Sequence, residues 1–369
     1  MNIIFLGTKG IPNRHGGFER FVEKLAPILV NFGHAVTVAC PNYQEYRKSI
    51  YKGVKLRFFP DLEKRIGAIG NLMYDFATIL YASLRRFNII YMCAYTSGFL
   101  LWIPRVLSPR SILVTNMDGL EWKRAKWSNI IQKYLRFCEA LAMRFTKYAI
   151  ADGLGINLYL RRKYSRYTKK IVQIEYGTEF PIRKTDDSIL AEHYLQKNGY
   201  FLLVARIEPE NKIEMVIKGL LNSKSRKPLV VVGPLNTPHA SYLLKKYGKI
   251  KTVVFTDGLY DELKVYALRK YAIVNFHGHS VGGTNPSLLE ALAIGKVVAV
   301  HKNIFNQGVV GNVGFIGFKS AREVAELIDR NARANIDYSK KYQERIKKLF
   351  TWEIISKKYQ DWFLEICKG

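Results

Sequence analysis

Cysteine is scarce in this chain: four among 369 residues, Cys40, Cys93, Cys138 and Cys367, far apart in the sequence. No Cys-x-x-Cys pair or zinc-ligand spacing occurs, which argues against a disulfide framework or structural metal and fits reduced cytoplasmic thiols. Acid is also in short supply. The 30 Asp+Glu face 58 Lys+Arg, and the resulting net charge of +28 favours an anionic partner. Long hydrophobic runs are missing. The longest, Ile66 to Leu84, is interrupted by Asn71 and Asp75 and is marginal in length for a span, so it reads as a soluble helix. The opening Met-Asn-Ile-Ile-Phe-Leu-Gly has neither the basic start nor the apolar stretch of a secretory leader and reads as a first strand. Neither a Gly-x-Gly-x-x-Gly fingerprint nor a Gly-Lys-Ser/Thr phosphate loop is present, and no Asp-x-Asp demands a bridging divalent ion. Repeats, heptads and low-complexity segments are absent.

What is present is a globular composition, 48% hydrophobic and 24% charged, with 23 Tyr and 20 Phe to fill cores. The length suits two domains. The basic excess is shared, with 28 basic and 12 acidic side chains in residues 1–180 against 30 and 18 in residues 181–369, so neither half is a detachable basic arm. Short β-branched runs alternate with helical-period segments, the signature of an α/β fold with doubly wound parallel sheets. Expected strands in the first half are Asn2–Leu6, Ala35–Ala39, Val54–Phe58, Ile89–Met92, Ile112–Thr115 and Ile171–Ile174. Those in the second half are Phe201–Val204, Leu229–Val232, Thr252–Phe255, Ala272–Phe276 and Val297–Val300. The pattern lapses around Gly177–Asp187, giving domains 1–180 and 181–350 and a C-terminal helix in 351–369 that packs back toward the first. Ligands of such sheets bind at the carboxyl ends of strands, so the active site is expected where the two domains face one another.

Four loops carry chemistry. Gly7 to Arg20 follows the first strand and opens a helix, where backbone N–H groups favour an anion and Gly16 and Gly17 admit a close ligand; an ordinary glycine-rich turn is the alternative. Asn116 to Arg124 sets Asp118 and Glu121 beside Trp122, Lys123 and Arg124. A carboxylate there can orient a sugar hydroxyl and an aromatic can stack on a sugar, or Asp118 simply caps a helix. Arg206 and Lys212, six residues apart across a turn, are able to converge on a diphosphate, or form a solvated pair with Glu208 and Glu210. His277 to Glu290 joins strand to helix through Gly282, Gly283, Thr284 and Asn285, offering donors to phosphate and sugar oxygens while Glu290 accepts from a ribose hydroxyl. His277 and His279 lack further ligands at metal spacing. A helix over Lys126–Lys147 bears a stripe of Lys126, Lys133, Arg136, Arg144 and Lys147, either a solvated face or a membrane-surface face.

Together these stretches resemble retaining glycosyltransferases of the GT-B architecture, two Rossmann-like domains, and within them bacterial rhamnosyltransferases that extend lipid-linked polysaccharide units. The resemblance covers nearly the whole chain. It implies an N-terminal acceptor-binding domain, a C-terminal nucleotide-sugar-binding domain, dTDP-L-rhamnose as donor and a sugar on polyprenyl diphosphate as acceptor, with no cofactor and no metal. It implies catalytic roles for Arg206 and Lys212 on the departing diphosphate and for Asp118 beside the acceptor hydroxyl or cationic sugar. Donor contacts would come from Gly16, Gly17, His279, Gly282, Gly283, Thr284, Asn285 and Glu290, and acceptor contacts from Glu19, Glu121, Trp122, Lys123 and Arg124. The wider family has a glutamate eight positions before Glu290; here that position is Gly282, which points to the rhamnosyl group rather than glucosyl or mannosyl relatives. The expected location is the cytoplasm, at the inner face of the membrane if the basic stripe makes that contact. A hexosyltransferase using a UDP- or GDP-sugar is the competing enzyme reading. A nucleic-acid-binding module has only the charge in its favour, so nucleic acid is not an expected partner; a silent nucleotide-sugar-binding scaffold is the remaining class.

Overall fold

The computed structural model describes every residue except 14, 15, 118, 125, 126, 260, 313, 334, 335 and 369. The chain divides into two units, Met1–Lys123 with Trp127–Tyr176 and Trp352–Gly369, and Arg124–Lys126 with Gly177–Thr351. The sheet of the first unit contains β1 (Asn2–Leu6), β2 (Ala35–Pro41), β3 (Ile50–Tyr51), β4 (Val54–Phe59), β5 (Ile89–Met92), β6 (Ile112–Asn116), β7 (Tyr148–Ala151) and β8 (Ile171–Gln173). Its order is β3-β4-β2-β1-β5-β6-β7-β8, parallel except for the β3–β4 hairpin. The sheet of the second unit contains β9 (Phe201–Val204), β10 (Leu229–Val232), β11 (Val253–Thr256), β12 (Asn275–His277), β13 (Val298–His301) and β14 (Ile316–Phe318). All of its pairs are parallel, in the order β11-β10-β9-β12-β13-β14.

Strands buried on both faces must be apolar throughout, and β1, with Ile3 to Leu6 fully buried, and β10, Leu-Val-Val-Val, meet that requirement. Right-handed crossovers then distribute the helices. Since β1 leads to β2 on one side while β4 returns past it to β5, β6 and β7 on the other, helix Gly17–Asn31 covers one face. Ala68–Ser83, Trp102–Leu107 and Asn129–Phe145 cover the opposite face. The C-terminal helix Trp352–Lys368 belongs to the first unit and lies beside Gly17–Asn31. Phe21, Tyr91 and Tyr359 meet there, with the two tyrosine hydroxyls 3.1 Å apart.

The α/β reading holds, with local corrections. Strands β3, β7 and β14 were not expected, β12 starts at Asn275 rather than Ala272, and β13 is Val298–His301. The stripe helix is Asn129–Phe145, shorter than Lys126–Lys147: Thr146 turns extended (ψ 146°), and its hydroxyl donates to the Leu113 carbonyl at 3.0 Å, so Lys147 starts the approach to β7. Lys126 lies outside the described residues.

In each sheet the strand order reverses at one place, between β1 and β5 and between β9 and β12. Loops leaving such neighbours part in opposite directions and open a crevice at the strands' carboxyl ends.

Candidate functional site

At the β9/β12 crevice the two loops singled out in the sequence are tied together. Asn211 Nδ2 donates to the Arg206 carbonyl at 2.7 Å, leaving Oδ1 to accept from His279 Nδ1 at 2.8 Å. Ser280 gives both its N–H (3.0 Å) and its hydroxyl (2.9 Å) to the Glu210 carbonyl. Gly278 makes the approach possible: a Cβ there would lie 2.0 Å from the Asn211 oxygen. Lys212 takes a left-handed backbone (φ 49°) and caps helix Ile213–Asn222, an unusual conformation for a side-chain-bearing residue that fixes where its stem leaves the turn. Arg206 is exposed and Lys212 half-buried. Asn303 and Asn306 amides each donate to the His279 carbonyl at 2.9 Å, pinning the second loop from behind.

The electrostatics follow from burial among cations. Burial pushes the His279 imidazole down to about 3, and the charges of Arg124 and Arg206 add to it; Arg124 is grouped with the second unit. His279 is therefore neutral and donates through Nδ1. Burial likewise holds His277 well below the usual imidazole range. The two rings lie 6.0 Å apart, and no group of three His, Cys, Asp or Glu forms a metal-holding cluster among the described residues. Gly282 (φ 157°) faces the His279 ring, where a Cβ would come within 2.5 Å of Nε2. Asn285 caps helix Pro286–Ile294 by accepting from the Ser287 N–H at 2.9 Å. Gly283 and the buried Thr284 complete the turn into that helix.

Glu290 is 8% exposed in the second turn of that helix, and Arg269 Nη2 approaches its Oε2 at 3.3 Å while donating to Ser287 Oγ at 2.8 Å. Ser287 Oγ in turn donates to the Val204 carbonyl at the end of β9, at 2.9 Å. Sequence reasoning missed Arg269; its only signal is an arginine on the buried side of helix Glu262–Tyr271.

At the β1/β5 crevice a cavity of about 210 Å3 is lined by the glycine loop (Gly7, Thr8, Lys9), by Glu19 and Glu121, and by Asn71, Asp75, Tyr95 and Thr96 from the other side. Glu19 accepts from the Lys9 backbone N–H at 2.8 Å, so this carboxylate holds the loop as well as lining the cavity. Lys9 Nζ meets Asp61 at 2.9 Å, Glu63 at 2.5 Å and Asn71 at 2.7 Å. Burial works against its charge, but the pairs with Glu63 and Asp61 outweigh it and raise its pKa. Tyr95 accepts from the Glu121 N–H at 2.9 Å and donates to the Gly119 carbonyl at 3.3 Å, joining the β5 and β6 loops. Asp75 accepts from Ser97, and burial pushes its carboxyl up to about 6. Three carboxyls and a lysine already paired with others suit a neutral polyhydroxyl ligand better than an anion. Asn71 and Asp75 carried a signal in the sequence, as the two polar breaks in an apolar helix.

The other expected residues are placed differently. Gly16 and Gly17 are exposed at the start of helix Gly17–Asn31 and do not themselves line the cavity, although Phe18 and Glu19 next to them do. Trp122 does not line the cavity either. Its indole N–H donates to Glu139 at 2.9 Å and the Arg136 guanidinium covers its ring at 4.3 Å, with Lys123 also over the ring at 5.4 Å. The indole is thus engaged in a cation-rich stack where a sugar-stacking face was expected. Asp118 lies outside the described residues.

Residues 1–179 match the model of a domain of unknown function, DUF1972. No curated protein matches the chain. Solved structures match it over nearly its full length. One is Anabaena Alr3699/HepE in complex with UDP and glucose, 18% identical, TM-score 0.75, covering 99% of this chain and 100% of that one. Another is the sucrose-phosphate synthase of Thermosynechococcus elongatus, 17% identical, TM-score 0.78, with 99% and 98% covered. A third is the α,α-trehalose 6-phosphate synthase of Burkholderia multivorans, 10% identical, TM-score 0.70, with 100% and 99% covered. At these identities the likeness is one of fold: two parallel-sheet domains matching GT-B glycosyltransferase structures.

Proposed function

We propose that this chain is a retaining, metal-independent glycosyltransferase that moves L-rhamnose from dTDP-L-rhamnose to a glycosyl acceptor on polyprenyl diphosphate, in the synthesis of bacterial cell-surface polysaccharide. The observation that carries the reading is the junction of the Arg206–Lys212 and His277–Asn285 loops at the crevice of the second unit, where cations, a neutral imidazole and a glycine turn meet. In this reading the second unit holds the donor. Arg206 and Lys212 stabilise the diphosphate as the glycosyl C–O bond breaks and the bonding pair leaves with it. The acceptor hydroxyl oxygen bonds the anomeric carbon on the same face, and its proton passes to a leaving phosphate oxygen. Glu290, held by Arg269, accepts from the pentose. The Gly282 turn leaves backbone, not a carboxylate, for the donor sugar, which supports a rhamnosyl donor. The acid-lined cavity of the first unit takes the acceptor sugar through Glu19 and Glu121, and Asp118 retains its proposed place beside the acceptor hydroxyl or the cationic sugar.

A UDP-sugar is the second reading, favoured by the UDP and UDP-glucose complexes of the similar Anabaena protein. The test is release of dTDP from dTDP-rhamnose with a synthetic glycosyl acceptor, alongside thermal shifts with dTDP, UDP and GDP. Arg206→Ala, an exposed position, should keep the melting temperature and lower kcat by about 10²–10³. Unchanged turnover removes the role given to Arg206, and a shift with UDP or GDP alone replaces the donor.

A further inference from the structure

Helices Ala68–Ser83, Trp102–Leu107 and Asn129–Phe145 cover one face of the first unit's sheet, and their outer side is apolar where a solvated layer would be polar. The first presents Ile69, Met73 and Phe76, spaced four and three residues apart and 65%, 52% and 46% exposed. The second presents Trp102 and Val106, and the third Ile130 and Phe137, all roughly half exposed or more. The surface is continuous. The first helix packs against the second, and Arg105 of the second donates to the Phe145 carbonyl closing the third at 3.4 Å. The Phe99 and Tyr134 rings meet edge to face at 6.4 Å.

The exposed charges on these three helices have one sign. The three helices hold two acidic residues, Asp75 and Glu139, and both are buried (3% and 1% exposed). Arg105, Lys133, Arg136 and Arg144 are exposed, and the flanking turns add Arg85, Arg86 and Arg110. A second copy of the chain would bring the same positive face and be repelled. An anionic surface with an apolar layer beneath it is complementary in both respects. No helix among the described residues is long and apolar enough to cross a membrane, so the contact is interfacial. We propose that this three-helix face docks the first unit on an anionic lipid bilayer, with Met73, Phe76, Trp102 and Ile130 entering the headgroup boundary and the basic residues meeting lipid phosphates. This rests on the surface of the first unit and not on the glycosyl-transfer reading.

The experiment is co-sedimentation of the full chain with phosphatidylcholine vesicles and with vesicles that also contain phosphatidylglycerol. Binding is expected to the second kind only and to weaken with salt. Met73→Glu and Ile130→Glu, both at exposed positions, should each abolish it with the melting temperature and the nucleotide thermal shifts unchanged. Lys133→Glu should weaken it about fivefold or more. Equal binding to both vesicles, or no effect of either apolar substitution, overturns the proposal. So does a concentration-dependent dimer in sedimentation velocity that Met73→Glu disperses, which would make the face an interface between copies. Loss of vesicle binding in a variant that still releases nucleotide from the donor separates this proposal from the catalytic one.

Discussion

Asp75 is a buried carboxyl in an apolar helix, and its burial outweighs the hydrogen bond from Ser97 and the charge of Lys9, which favour ionisation, to bring its pKa up to about 6. The folded state thus keeps the proton more tightly than the unfolded chain, where the carboxyl titrates near 3.8. Its contribution to stability is fully present below about pH 4 and is lost as pH rises to about 6, a change of roughly 2–3 kcal/mol. Asp75→Asn keeps an acceptor for Ser97 and removes the titration. Urea unfolding at about pH 4 and about pH 7 should show the variant gaining on the parent by that amount between the two. A constant difference would mean that Asp75 ionises in the fold as it does in water. His279 behaves in the opposite sense: with its pKa down at about 3 it stays neutral wherever the protein is active, so its protonation should leave no inflection near pH 6 to 7 in the donor affinity.

Two loops are joined into the proposed donor face through a backbone contact at Gly278, and that contact is open to test. Gly278→Ala places a Cβ 2.0 Å from the Asn211 carbonyl oxygen, in backbone that the Asn211 and Ser280 hydrogen bonds hold from both sides. The loops must part, at a cost of about 1–3 kcal/mol in stability, and nucleotide affinity should fall with it. Gly17→Ala, where nothing lies within 4 Å, is the steric control expected to leave stability unchanged. If Gly278→Ala retains full nucleotide-induced thermal shift, the junction is not where the donor sits. These loops were legible in the sequence because glycine, histidine and asparagine between a strand and a helix have few other reasons to cluster. Their supports were not legible. Arg269 sits within a helix where the pattern reports only amphipathicity, and it meets its partner Glu290 21 residues away in sequence. The central strands were readable as unbroken Ile/Val/Leu runs. β7 was not, because Tyr148–Ala151 follows a helix after a two-residue break, and β14 was not, because Gly317 interrupts a three-residue edge.

At the scale of the whole molecule the chain leaves the first unit after Tyr176, builds the second, and returns at Trp352 to finish the first. The returning helix supplies core to a unit whose sheet was completed nearly 180 residues earlier, at Gln173. Ile355, Tyr359 and Phe363 are fully buried, and Tyr359 rests on Phe21 and Tyr91. Each such side chain contributes about 1.5–3 kcal/mol by burial, against a total of roughly 5–15 kcal/mol for an ordinary domain. Truncation after Thr351 therefore removes enough to unfold the first unit. The second unit closes its own parallel sheet from β9 to β14 without that helix, so the two should respond separately. Calorimetry of the truncated chain should lose one transition and keep another that dTDP still raises. Tyr359→Ala in the full chain should lower the first transition alone, by the equivalent of about 3–5 kcal/mol. If truncation leaves both transitions in place, the helix is an appendage and the first unit's core closes without it. If it abolishes both, the second unit depends on the first for its stability, and nucleotide binding must then be assayed only in the intact chain.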